Sequence, residues 1–308
     1  MPGGPVACFS YLAAASLWNV ARFPAANHGA EVKTIEDSIA ADGPMVAAVL
    51  AALGQPSVLI ANSVGDDPTG HHVRNWLQEH RMRTTARIKA ESTTPRIVVV
   101  GDNHHTRTMF PYLPGVADEL EHVDLAPLAD ASFAYIDGYA VIGKAAARAI
   151  QATKAAQLPL LVNLGGDPAP CQLLDVLDGY PGLVVQTSIT EESLDTAARL
   201  AKYLQVDMKS EWAIITAGAA GAAAADKWGE VRIPAFRANV RHTHCAGAAF
   251  SGGLIYGLLH NWPMQSCLEL AAASGTLRCE REQSDPLPTL TELHSVIQSR
   301  QRRNTSAA

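Results

Sequence analysis

The chain has 308 residues, 48% of them hydrophobic and 18% charged, with a formal net charge of -6. This composition excludes a disordered chain and supports one sizeable buried core. The acidic balance argues against nucleic acid and anionic membrane as partners and leaves a small molecule or another protein.

The opening run, MPGGPVACFSYLAAASLW, is apolar but has no basic leader region. It reads as a first strand over Ala7–Leu12 and not as a signal peptide. A helix follows over Pro44–Leu53, a strand over Ser57–Ala61 and a helix over Gly70–His80 that Thr69 can cap. Further strands are expected over Ile97–Val100, Phe133–Ile136, Leu160–Val162, Leu183–Gln186 and Ala213–Thr216. Helical patterns cover Gly143–Ala155, Glu191–Leu204, Gly247–Leu259, Met264–Cys279 and Leu290–Arg300. Alternating strands and helices predict an α/β fold, a mostly parallel sheet covered on both faces.

No Gly/Ser or Pro linker divides the chain, so residues 1–308 are expected to form a single domain. Residues 29–41 and 93–113 break the alternation; the second reads as a hairpin turning at Asp102-Asn103. Both suggest a small β lid over a cleft. Apolar residues on it (Ile97, Val99, Met109, Phe110) predict a homodimer through the lid. The cysteines at 8, 171, 245, 267 and 279 are odd in number and lack a CxxC pair. Most of them fit core residues in a reducing compartment, with the cytoplasm as the default location. No apolar run reaches membrane-span length.

Several motifs recur in a fixed order: GDDPTG (65–70), TTP (93–95), RTM (107–109), TAGAAG (216–221), AGAAFSGGLIYGLL (246–259) and LPTLTEL (287–293). In these the chain resembles the PfkB, or ribokinase-like, carbohydrate kinases over nearly its whole length. The resemblance implies a Rossmann-like core with a β lid, ATP and Mg²⁺ as cofactors, and phosphotransfer to a hydroxyl of a sugar or nucleoside. It also places Thr216, Gly218 and Gly221 beside the nucleotide. Arg107, and Arg96 with it, can contact an anion or simply flank a solvated hairpin.

The family signature, D-T-x-G-A-G-D, supplies an anion hole at a helix N-terminus and ends in the general base. Here the segment reads His242-Thr243-His244-Cys245-Ala246-Gly247-Ala248. Ala248 stands at the base position, and Cys245, Ala246 and Gly247 form the anion hole, with Cys245 strained if it needs positive φ. The sugar-binding aspartate falls near Ala15, and the G-G-x-x-x-N element near Ala40–Met45, with Met45 in place of its Asn. Both positions suit a polyol poorly. The family's Mg²⁺-organising N-x-x-E aligns with Ser188–Glu191, where Glu191 is either a weak metal residue or half of a capping box.

These replacements predict a protein that binds a small molecule, and a nucleotide with it, with ordinary phosphotransfer lost or much reduced. One alternative is an active kinase with an unorthodox base such as His244. The other is a different reaction that uses His242, His244 or Cys245, with Cys245 as a nucleophile activated at a helix N-terminus. A metal held by His242, His244 and Cys245, with His104 and His105 closing over the cleft, is a weaker reading, because the H-x-H-C spacing is tight for a tetrahedral site. Asp66 and Asp67 read as turn and cap residues.

Overall fold

The structure, a computed structural model, describes residues 3–104, 106–190 and 193–306. Its strands are β1 (Val6–Phe9), β2 (Ala13–Val20), β3 (Val32–Ala40), β4 (Ser57–Ile60), β5 (Val64–Gly65), β6 (Arg83–Thr84), β7 (Ile88–Lys89), β8 (Arg96–Asp102), β9 (Arg107–Tyr112), β10 (Phe133–Asp137), β11 (Leu160–Asn163), β12 (Leu183–Ser188), β13 (Trp212–Thr216), β14 (Ala222–Ala225) and β15 (Glu230–Ile233). Its α-helices are α1 (Asp42–Ala52), α2 (Pro68–Glu79), α3 (Val116–His122), α4 (Gly143–Ala155), α5 (Cys171–Leu177), α6 (Leu194–Asp207), α7 (Ala246–Leu259), α8 (Met264–Glu280) and α9 (Leu290–Ser306).

The main sheet runs β15-β14-β13-β12-β11-β10-β1-β4-β6. It is parallel from β6 to β13 and closes on an antiparallel edge, β13-β14-β15. Alternate residues of each central strand enter opposite cores, as the two-residue period requires. Val6 and Cys8 pack under α1, α7 and α8, while Ala7 and Phe9 pack under α3, α4 and α5. Burial on both faces explains why these strands read as short unbroken apolar runs.

The lid is a second sheet, β3-β2-β8-β9. The β8-β9 hairpin turns just after Asp102, as expected, and β3 fills most of 29–41. One lid strand was not expected: β2, which runs parallel to β8 and antiparallel to β3. At its far end β3 passes directly into α1, through Ala41 at φ 78°.

Two caps differ from expectation. Asp67, not Thr69, caps α2 by accepting from the Gly70 amide at 2.8 Å. Helix α6 starts at Leu194 with Ser193 as its cap, and the Ser188 hydroxyl donates to the Gly165 carbonyl; the expected box of Ser188 with Glu191 falls on a residue outside the described ones. Glu191 and His105 lie outside the described residues.

Candidate functional site

In a parallel sheet the strand C-termini and the helix N-termini that follow them open one shared crevice. Here that edge collects Ser10 after β1, Asp137 at the end of β10, Asn163 at the end of β11, and the first residues of α1 and α7. The first turn of α7 lies where the sequence places the anion hole. Cys245 sits in the left-handed region at φ 58°, where a Cβ costs roughly 1–2 kcal/mol. The helix then begins at Ala246, and Gly247 is exposed with open space beside it. Its amides can meet an anion without help from side chains.

The residues around this turn are clamped to the lid. His244 is buried with Nε2 2.9 Å from the Ile39 carbonyl of β3, so that nitrogen carries the proton. Arg107 of β9 donates from Nη1 to the Thr243 carbonyl at 2.8 Å. Burial, then the buried Arg278 guanidinium, push His244 down to about 3 and His242 to about 4. Both imidazoles are therefore neutral, and His244 is too weakly basic to be the base it was expected to offer.

The cysteine expectation is corrected as well. Burial pushes the Cys245 thiol up to about 12 and overrides the helix N-terminus, so no nucleophilic thiolate forms near neutral pH. Nor do His242, His244 and Cys245 form a metal centre: among the described residues no cluster of three or more such ligands converges.

Ala248, expected at the base position, is fully buried in α7 and offers no proton acceptor. Met45 is a buried core residue beneath the sheet. Ala15 is buried in the lid root, opposite Ser38 and Ile97. Thr216 is half-buried at the end of β13 and Gly218 is exposed, whereas Gly221 is buried at φ 119°. A Cβ on Gly221 would stand 2.1 Å from the Ile233 carbonyl oxygen, so this glycine is required by the turn into β14.

A polar network at the crevice floor was not foreseen. Tyr135 donates to Asp137 Oδ1 at 2.6 Å, Ser10 to Oδ2 at 2.5 Å and the Gly43 amide to Oδ2 at 3.2 Å. Beside it, Asp42 Oδ2 accepts from Tyr139 at 2.6 Å and from Asn163 at 2.8 Å. Burial, and then the Asp42 carboxylate, push Asp137 up to about 7. Ser10 Oγ also lies 2.9 Å from the Tyr11 carbonyl, so a protonated Asp137 can donate to Ser10, which then donates onward. Asp137 is inaccessible; Asp42 is half-buried and reachable. The available signal was a carboxylate closing an otherwise apolar strand, FAYI followed by Asp137, at the sheet edge where ligands bind.

The comparisons agree with this architecture. The model of the pfkB family carbohydrate kinases matches residues 11–290. A 5-dehydro-2-deoxygluconokinase of Geobacillus kaustophilus is 35% identical over 104 residues, 33% of this chain, and the match spans only 30% of that relative's length. A fructokinase of Klebsiella pneumoniae is 30% identical over 234 residues, covering 69% of this chain and 74% of the relative. Among solved structures, the ribokinase of Arabidopsis thaliana, complexed with ribose and ATP, superposes with a TM-score of 0.72 at 17% identity over 96% of this chain and 99% of that one. The parallel sheet covered by helices is thus that of a ribokinase-like fold, and the chain belongs to the PfkB family of carbohydrate kinases.

Proposed function

We propose that the protein binds a small polar metabolite under its lid and a nucleotide at the first turn of α7, with ordinary phosphotransfer lost or much reduced. The observation that carries this reading is Ala248, buried where the family signature ends in a proton-accepting carboxylate. Removing a positioned general base costs about 10²–10⁴-fold in rate. Nucleotide binding rests on the Ala246 and Gly247 amides, which survive the substitutions, and on the ATP bound by the solved ribokinase. Thr216 and exposed Gly218 supply the nucleotide side. Mg²⁺ draws most of its ligands from phosphate and water and needs only one or two protein oxygens. Asp42, whose Oδ1 has no partner among the described residues, fits that need and would hold the ion that screens the phosphate charge.

A second reading, a working kinase with Asp42 as base, is supported by two observations. The named relatives are kinases, and the charge of Asp42 lies close enough to Cys245 at the anion turn to raise that thiol. The test is ATP consumption and product formation with fructose, ribose and 5-dehydro-2-deoxygluconate. Background rates support the first reading. Turnover abolished by Asp42→Asn supports the second.

We also propose a homodimer through the lid in the reducing cytoplasm. Of the lid residues expected to pair, Met109 and Phe110 are exposed, joined by Ile35 and Tyr112, whereas Ile97 and Val99 are buried against the core; the lid bears open edge strands, and the described cysteines are free thiols.

A further inference from the structure

Helix α6 is anchored through alanines. Ala197, Ala198 and Ala201 pack with Ile215, Ala223 and Ala225 of β13 and β14, at the antiparallel edge of the main sheet. The small side chains lie beneath the helix and the large ones point away from the sheet. Leu200, Tyr203 and Val206 are exposed, Tyr203 to 70% and Val206 to 64%. Beside the helix, the turn between β14 and β15 carries Trp228, 83% exposed. That turn is tied down. Asp226 Oδ1 accepts from the amides of Trp228 and Gly229, both at 2.8 Å, and the Asp226 carbonyl accepts from Lys202 of α6 at 2.7 Å. Scattered apolar residues on a surface need no explanation, but aromatic and aliphatic ones gathered on a fixed frame mark a contact surface.

The order of residues along α6 says what covers it. The exposed stripe is Arg199, Leu200, Tyr203, Val206 and Asp207, which share one helix face at the three- and four-residue spacing. About Tyr203 the stripe is symmetric. An aliphatic residue stands three positions to either side and a charged residue four positions to either side, and the two charges are opposite. A twofold axis at Tyr203 lays a second α6 antiparallel on the first. Leu200 then meets Val206 of the partner subunit, and Arg199 meets Asp207 of the partner subunit, each contact occurring twice. In a parallel arrangement each charge would meet its like, which is unfavourable. Neither charge is paired within the chain. Arg199 donates to the Thr196 hydroxyl at 3.3 Å, and among the described residues neither Arg199 nor Asp207 forms an ion pair.

We propose that the chain pairs with a second copy of itself through an antiparallel α6–α6 contact whose twofold axis passes Tyr203. This face lies on the main sheet and not on the lid, so the contact is independent of lid pairing. One helix seam buries less than the roughly 1,200–2,000 Å² of a standard interface, so it forms at concentrations on the order of 10² µM, above those at which the lid is expected to pair. Sedimentation equilibrium of the full chain from about 10 µM to about 1 mM tests it. The mass should rise by about a factor of two beyond whatever state the lid sets at the low end. Tyr203→Asp should abolish that rise. Arg199→Asp and Asp207→Arg should each weaken the association at least about tenfold, because each brings like charges together at two symmetry-related places. Mixing these two variants in equal amounts places opposite charges at both places again and should restore the association to within about threefold. A change in the fold of either variant, or a surface meant for an unrelated protein, gives no such recovery. A mass that stays constant, a rise that survives Tyr203→Asp, or a mixture no better than the separate variants overturns the proposal.

Discussion

Asp137 and the histidines of the α7 turn impose opposite pH dependences on the fold. Asp137 titrates near 7 in the native protein against an ordinary 3.8, so the native state holds its proton more tightly. The stability it contributes is complete at low pH and is lost as pH rises through about 7. His242 and His244, at about 4 and about 3 against an ordinary 6.5, do the reverse: their contribution is complete above 6.5 and is lost as pH falls. Asp137→Asn removes only the first effect. Between the ordinary and native values the variant's unfolding free energy should therefore climb with pH more steeply, by up to about 1.4 kcal/mol per pH unit. Urea melts in steps of pH measure this, and parallel curves would mean that Asp137 is ionised in the native state. A second test at this scale concerns thiols. At pH 8 iodoacetamide should modify exposed Cys171 long before Cys245, which is buried and whose thiol burial pushes up to about 12. Rapid labelling of Cys245, read by peptide mass spectrometry, would revive it as a nucleophile.

Among the elements, α2 and the β13–β14 turn depend on single residues. Asp67 accepts from the Gly70 amide and from both the amide and the hydroxyl of Thr94, tying the α2 cap to the segment that enters the lid. Asp67→Ala should cost about 1–2 kcal/mol, measured by denaturant melts; a loss below a few tenths would mean that neighbouring groups replace the cap. The sequence made the central strands legible because burial on both faces leaves unbroken apolar runs such as FAYI and LLV. It hid β2 and β14 because both are rich in alanine, AAASLWNV and AAAA, with few β-branched residues to mark them. It disclosed the turn into α7, which is local in sequence. It concealed the Asp42–Asp137 network, whose members lie on β10, β11 and α1 and meet only when parallel strands align their ends.

For the whole molecule, the exposed lid predicts association. Static light scattering at micromolar concentration should give a dimer, and Phe110→Glu, which places a charge on the lid face, should give monomers; a monomeric unmodified chain contradicts lid pairing. The larger issue is what the fold does with its crevice. The amides of α7 and the lid remain, while Ala248, expected at the base position, is a buried alanine and an accessible carboxylate, Asp42, lies on another helix. The most direct test is the rate of ATP-dependent product formation by the unmodified chain with a panel of sugars and sugar acids. Sugar kinases of ordinary competence turn over at about 1–100 s⁻¹. The account predicts a rate at least about 100-fold below that range; turnover within it would contradict the loss of ordinary phosphotransfer.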